Sequence, residues 1–365
     1  MARLNLFCLL LCCVMISSTP VQAQLGKRHT NAVTAFVSEW MKAENVPGAA
    51  VAATVRGKVV YNKAFGLSDV ENQLAAQTRS VFRLASVSKP ITAVAVMQLV
   101  EQGKIDLDAP AEQYLPMFPK KQWSFTVRQL LGHQSGIRHY QGLEEEYSIG
   151  ARRYKDLNEA ITIFSNDSLR HRPGERYSYT TFGYSLLGAV IEAVSGLSFE
   201  EYIRTRICAP AGMTSTYMDR STDIIPFRTR GYAVDTLGRL RNAVAIDPNY
   251  KFPGGGIVST AGDMARFASA VMSGKLIRPE TFALMTTMGT LADGTTTGYG
   301  LGWSLGTAAA PEAVLHKGMQ QGTTTVLLLL PQKECAVVVL TNREQTGKII
   351  ETATEIARIA AAAQR

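Results

Sequence analysis

Several features that would fix a protein's class at once are missing from this chain. No apolar stretch reaches the ~20 residues that a membrane-spanning helix needs, the N-terminal run from Leu4 to Ile16 included. Basic residues never run beyond pairs such as Lys120-Lys121 and Arg152-Arg153, so the footprint of a nucleic-acid binder is absent. The five histidines, at 29, 133, 139, 171 and 316, form no H-E-x-x-H or closely spaced ligand set, which argues against metal catalysis. No alternating βαβ pattern with a Gly-rich phosphate loop occurs, so a dinucleotide-binding fold is not expected. There is no internal repeat and no low-complexity segment. With 46% hydrophobic and 19% charged residues over 365 positions, disorder and collagen are excluded. The length suits two domains of ~150 residues or one large composite.

Cysteine is scarcer than its count of five suggests. Arg3, the apolar run to Ile16 and the small-residue site Val21-Gln22-Ala23 read as a secretory signal peptide over residues 1–23. A lipoprotein reading is disfavoured, because Leu11 rather than a small residue precedes Cys12. Export to the periplasm or beyond is therefore expected, with no integral membrane segment left after cleavage. Cys8, Cys12 and Cys13 leave with the leader, so Cys208 and Cys335 allow at most one disulfide and are read as buried structural thiols. Arg3 leaves too, and 37 basic against 30 acidic residues give a dispersed charge of +7.

Val33, Phe36, Val37, Trp40 and Met41 mark an amphipathic helix. Ala49 to Val55 and Val59 to Phe65 read as a β-hairpin. The far end mirrors this, with strands Thr323 to Leu330 and Ala336 to Thr341 before a final helix reaching about Ala362. Between them, from about Ser86 to Met288, the pattern is mostly helical: Pro90 to Gln102, Thr126 to Leu131, Tyr184 to Val194, Phe199 to Ile207 and Gly262 to Met272. The expected architecture is a composite α/β fold of the α+β type. Residues 24–85 with about 289–365 form a sheet subdomain, about 86–288 form a helical one, and a cleft lies between the layers.

Three short motifs carry chemistry. Ser86-Val87-Ser88-Lys89 places a lysine one helical turn after a serine, within reach of its hydroxyl, although S-x-x-K alone arises about once by chance in a chain this long. Tyr179 follows the Pro173-Gly174 loop and precedes a helix. His316-Lys317-Gly318 lies on an expected edge strand. In this order, about 90 and about 137 residues apart, the three resemble the serine hydrolases of the class C β-lactamase and DD-peptidase superfamily, with its S-x-x-K, Y-x-N and K-T-G or H-x-G pattern. Leu130-Leu131-Gly132-His133-Gln134-Ser135-Gly136, Gly254-Gly255-Gly256, Asp263 and Tyr299-Gly300-Leu301-Gly302-Trp303 extend the resemblance from about Val46 to the C-terminus. Ser135 to Tyr140 and the run from Tyr179 to Tyr184 are most similar to the mitochondrial serine β-lactamase-like branch and its bacterial relatives.

The resemblance implies a β-lactamase/transpeptidase-like fold and an acyl-enzyme mechanism without cofactor or metal, acting on a small-molecule or peptide substrate. Ser86 would be the nucleophile, Lys89 its proton partner and Tyr179 a general base whose phenol nearby cations bring down. The backbone N–H groups of Ser86 and Met319 would form the oxyanion hole. Thr181, His316 and Gly318 would border the substrate. Thr181 stands where most relatives carry asparagine, and His316 exchanges a permanent cation for one expected to titrate near neutrality. Both departures point away from efficient β-lactam hydrolysis and towards a peptidase or esterase. Two rival readings remain: a catalytically weak binding or scaffolding protein on the same fold, and a nucleophile elbow at Gly302-Trp303-Ser304-Leu305-Gly306, against which Pro311 stands because it leaves no room for the required helix. Glu144-Glu145-Glu146 and His133 are read as a solvated loop and a turn residue.

Overall fold

The computed structural model describes residues 25–363, so the leader expected over residues 1–23 lies outside the described residues. A seven-stranded antiparallel sheet is built from both ends of the chain: β1 (Gly48–Val55), β2 (Lys58–Asp69), β3 (Leu74–Ala75), β4 (Ser304–Leu305), β5 (Val314–Gln320), β6 (Thr323–Leu330) and β7 (Cys335–Thr341). Its order is β3-β2-β1-β7-β6-β5-β4. The central register pairs Val51 with Val339 and Val339 with Val326, so strands from opposite ends of the sequence meet in the middle of the sheet.

Strands β1, β6 and β7 are buried along their whole length because both sheet faces are covered. Alternation of side chains across the pleat divides the core into two clusters. On one face Ala49, Val51, Ala53, Val337 and Val339 pack under α1 (Lys27–Ala43) and the terminal helix Ile349–Ala362. Val33, Val37, Trp40 and Met41 form the buried stripe of α1. On the other face Ala50, Ala52, Leu327, Leu329, Val338 and Leu340 join the large core of the helical middle. That middle is organised around α2 (Ser88–Glu101) and α3 (Thr181–Ser195), both almost entirely buried. No single described helix is long and apolar enough to cross a membrane. Cys208 and Cys335 are free and buried, Cys335 in the sheet core and Cys208 in the helical layer.

Candidate active site

Ser86 lies just ahead of the long helix rather than on it. It sits in a single 3-10 turn, Ala85–Val87, directly ahead of α2. Ala85 adopts a left-handed φ of 49°, a conformation that strains a residue with a Cβ and that only firm anchoring maintains. Two of the anchors come from β6 of the sheet and the third from the short strand Ile257–Ser259 outside it. The Thr325 hydroxyl donates to the Leu84 carbonyl at 2.7 Å, the Thr323 hydroxyl donates to the Arg83 carbonyl at 3.0 Å, and the Leu84 N–H donates to the Ile257 carbonyl at 2.9 Å. Gly318 on β5 makes this approach possible, since a Cβ there would lie 2.4 Å from the Leu84 carbonyl oxygen.

The Lys89 ammonium nitrogen lies at the bottom of the cleft, fully buried, 3.1 Å from Ser86 Oγ, 3.3 Å from Thr181 Oγ1 and 2.6 Å from the Gly254 carbonyl. Gly254 brings its carbonyl there because it has no side chain; a Cβ would meet Thr181 Cγ2 at 2.7 Å. Burial, reinforced by the charge of Lys251, holds the Lys89 pKa well below its ordinary value, with Glu146 pulling the other way. In its neutral form, which this lowering favours, the amine has a lone pair that can receive the Ser86 proton. Tyr179 stacks its ring against this group, 4.8 Å from Nζ to the centroid. Burial pushes the Tyr179 phenol up, and the neighbouring Ser86 hydroxyl only partly opposes this. The lowering expected from nearby cations is therefore not what the site produces, and in the free protein the phenol keeps its proton.

His316 is likewise turned away from the expected role. It is buried on β5, its Nε2 lies 3.0 Å from Tyr299 Oη and its Nδ1 2.9 Å from the Lys317 carbonyl. Burial, then the charge of Lys89, pushes its pKa down to about 3, so it is neutral throughout the physiological range. Strand β5 is also less of an edge than expected, since β4 pairs with Val314 and Leu315; only from His316 onward is the outer side open. There Lys317 and Met319 are exposed and face a cleft of about 390 Å³ that also contains Ser86, Tyr179 and Thr181.

Four residues at this cleft escaped sequence reasoning. His133 lies beneath Tyr179, with ring centroids 4.3 Å apart, and its Nδ1 accepts the Thr180 N–H at 3.2 Å. His139 Nδ1 accepts the next amide, that of Thr181, at 3.3 Å. Two histidines six residues apart in one loop thus hold consecutive backbone amides of the Tyr179 segment, and that spacing was the available signal. Lys251, just before the glycine run, is buried and pairs at 2.9 Å with Glu146. Burial alone would lower its pKa, but Tyr250 and Glu146 raise it, so it stays charged. Residues Leu143–Gly150 form a helix rather than a solvated loop: Glu146 turns inward to Lys251 and Glu145 to the buried Arg138. A string of three glutamates reads as solvent-facing only when its buried cationic partners, 105 and seven residues away, are not in view.

The elbow at Ser304 is not built. Ser304–Leu305 is a two-residue strand on the sheet edge, with turns rather than a helix after it. Ser304→Ala is expected to leave labelling by a fluorophosphonate probe at the wild-type rate, as followed by intact-protein mass spectrometry.

A family model described as Beta-lactamase matches residues 33–362. The human "Serine beta-lactamase-like protein LACTB, mitochondrial" is 28% identical over 382 residues, an alignment covering 79% of this chain and 69% of that protein. Among solved structures, the octameric penicillin-binding protein homologue from Pyrococcus abyssi superposes with a TM-score of 0.77 at 28% identity, covering 91% of this chain and 77% of that one. EstCE1, a hydrolase with promiscuous acyltransferase activity, gives a TM-score of 0.77 at 24% identity over 90% of this chain and 98% of its own, a likeness of fold.

Proposed function

The chain belongs to the Beta-lactamase family of serine hydrolases, and from that premise we propose that it cleaves peptide, amide or ester carbonyls through an acyl-enzyme on Ser86. The observation that carries this is the buried, pKa-depressed Lys89 amine 3.1 Å from Ser86 Oγ. Ser86 Oγ attacks the carbonyl carbon as its proton passes to Lys89 Nζ. The oxyanion is held by the Ser86 and Met319 N–H groups. Protonated Tyr179 donates to the leaving group and is restored by Lys89, which returns to the neutral amine. Deacylation runs the same relay backwards: Tyr179 takes a proton from water while giving its own to Lys89, and Lys89 finally returns a proton to Ser86 Oγ.

Thr181 reaches Lys89 with its hydroxyl, and neutral His316 offers no cation for a substrate carboxylate. These two features support a peptidase or esterase over an efficient β-lactamase. Residues 24–365 act as one catalytic unit whose sheet layer comes from 24–85 and about 289–365; the mixed strand order supports this. The amino-terminal pattern supports export to the periplasm or beyond. A hydrolysis panel of D-amino-acid peptides, amides, esters and lactams tests the reading. Turnover should be highest outside the lactams, and kcat/KM should rise with pH through the lowered Lys89 pKa. His139 and His316 are expected to add no inflection of their own near pH 6.5, since burial takes them down to about 4 and about 3. Cephalosporin turnover far above ester turnover, or no Ser86 adduct with any probe, overturns it; the second outcome favours a scaffold.

A further inference from the structure

A buried ion pair does little for stability, because desolvation offsets most of the attraction and an apolar pair of similar size often serves the fold as well. Lys251 and Glu146 form such a pair at 2.9 Å, with side chains 3% and 14% exposed. Both line the 390 Å³ cleft that holds Ser86. Lys251 immediately precedes the turn Phe252–Gly255, and within that turn the Gly254 carbonyl takes Lys89 Nζ at 2.6 Å. The Lys251 ammonium faces the rings of Tyr140 and Tyr250 at 5.5 and 5.3 Å, and Glu146 is its one ion-pair partner among the described residues. Glu146 arrives from a different element, the helix Leu143–Gly150, which Glu145 ties to Arg138 at 3.1 Å.

Most of the titratable side chains around Lys89 are uncharged. The rings of Tyr179 and Tyr184 lie 4.8 and 5.5 Å from Nζ, and burial pushes both phenols up. Burial pushes His133, His139 and His316 down, so all three are neutral at physiological pH. Ser86 and Thr181 present hydroxyls. Lys317 is an unmatched charge in the same cleft, but it is exposed, and water and salt screen it. Beyond burial itself, the charges that act on Lys89 are that of Lys251, which disfavours a second cation nearby, and that of Glu146, which favours one. Acylation requires Lys89 to be neutral before Ser86 attacks and cationic just afterwards. Lys251 serves the first state and Glu146 the second.

We propose that the Lys251–Glu146 pair sets the proton affinity of Lys89, so that the helix Leu143–Gly150, by carrying Glu146, governs the pH at which the nucleophile becomes active. Both residues act through Lys89 and are positioning residues. The proposal rests on the acyl-enzyme reading above, and its test separates the two. In the first arm, the midpoint of the acidic limb of kcat/KM against pH is measured with the best ester or amide. Glu146→Gln leaves Lys251 unopposed and should move the midpoint down by roughly one pH unit, Lys251→Met should move it up by about as much, and the double variant should fall between them. Side chains that merely braced the cleft would lower kcat/KM at every pH without moving the midpoint. Unmoved midpoints, or shifts of the same sign, overturn the proposal. Lys251→Met strands a buried carboxylate. Should it fail to fold, Glu146→Gln and the double variant decide: a midpoint below wild type in the first, regained in the second, upholds the proposal, and coincident midpoints overturn it. The second arm needs no turnover. The substrate-free proteins, labelled with 13C-lysine, are titrated by NMR and the Lys89 Cε resonance is followed. If Ser86 proves unreactive, the acyl-enzyme reading falls and this titration alone decides: opposite displacements in the two single variants uphold the control of Lys89 by the pair, and superimposed curves overturn it.

Discussion

Ser86→Ala is expected to abolish the fluorophosphonate adduct and to lower hydrolysis of the best ester or amide by at least about a thousandfold, the scale of losing an activated nucleophile. The loss should be chemical rather than structural. The Ser86 side chain touches the relay through Lys89, whereas the turn that carries it is held by Thr323, Thr325 and Ile257, whose bonds are to the neighbouring backbone. Thermal unfolding should therefore stay close to wild type. Lys89→Ala is a harsher change, because it empties a fully buried position and leaves the Gly254 carbonyl and the Thr181 hydroxyl without their donor. Mass spectrometry of the probe adduct, read beside the melting curve, distinguishes the two. An adduct of undiminished yield on Ser86→Ala would place the nucleophile elsewhere and remove the basis of the mechanism.

Much of this was legible in the sequence, and the reason differs from place to place. The β-hairpin at Ala49, the two C-terminal strands and the capped helices declare themselves through periodicity, because one residue's neighbours along the chain are enough to set its face. The Ser86, Lys89 and Tyr179 set was found through spacing, and the structure brings Lys89 into contact with both of the others. What escaped was set by burial and by partners distant in the chain. A histidine has an ordinary pKa in a sequence; only when His316 is closed between Tyr299 and the Lys317 carbonyl near Lys89 does its titration leave the neutral range. Tyr179 is the same lesson with the sign reversed, since a nearby cation was visible in the pattern and the desolvation that outweighs it was not. Lys251 and Glu146 are unremarkable as letters and form a buried ion pair only once the helix Leu143–Gly150 folds over the cleft.

Those buried histidines lead to a second large effect, loss of stability in mild acid. His133, His139 and His316 all have folded pKa values below the ordinary 6.5: about 4 for His139, about 3 for His316 and well down for His133, with burial as the leading cause each time and the charge of Lys89 next. The unfolded chain takes up these protons as pH falls through 6.5, whereas the native protein does not until pH approaches the folded values. Between those limits the unfolded state binds more protons, so stability falls as pH falls, by roughly 1.4 kcal/mol per pH unit for each such group and up to about 4 for the three together. Above pH 6.5 the contribution is flat. Against a typical total of about 5–15 kcal/mol, a drop of two to three pH units is enough to unfold the protein. Urea denaturation at pH 7.5, 6 and 5 measures the slope. In His316→Phe the slope should fall by about 1.4 kcal/mol per pH unit, whatever the variant's stability at neutral pH, because one proton fewer separates the two states. An unchanged slope would mean that His316 charges in the native protein, and with it would return the pH-dependent carboxylate recognition that its burial between Tyr299 and Lys317 argues against.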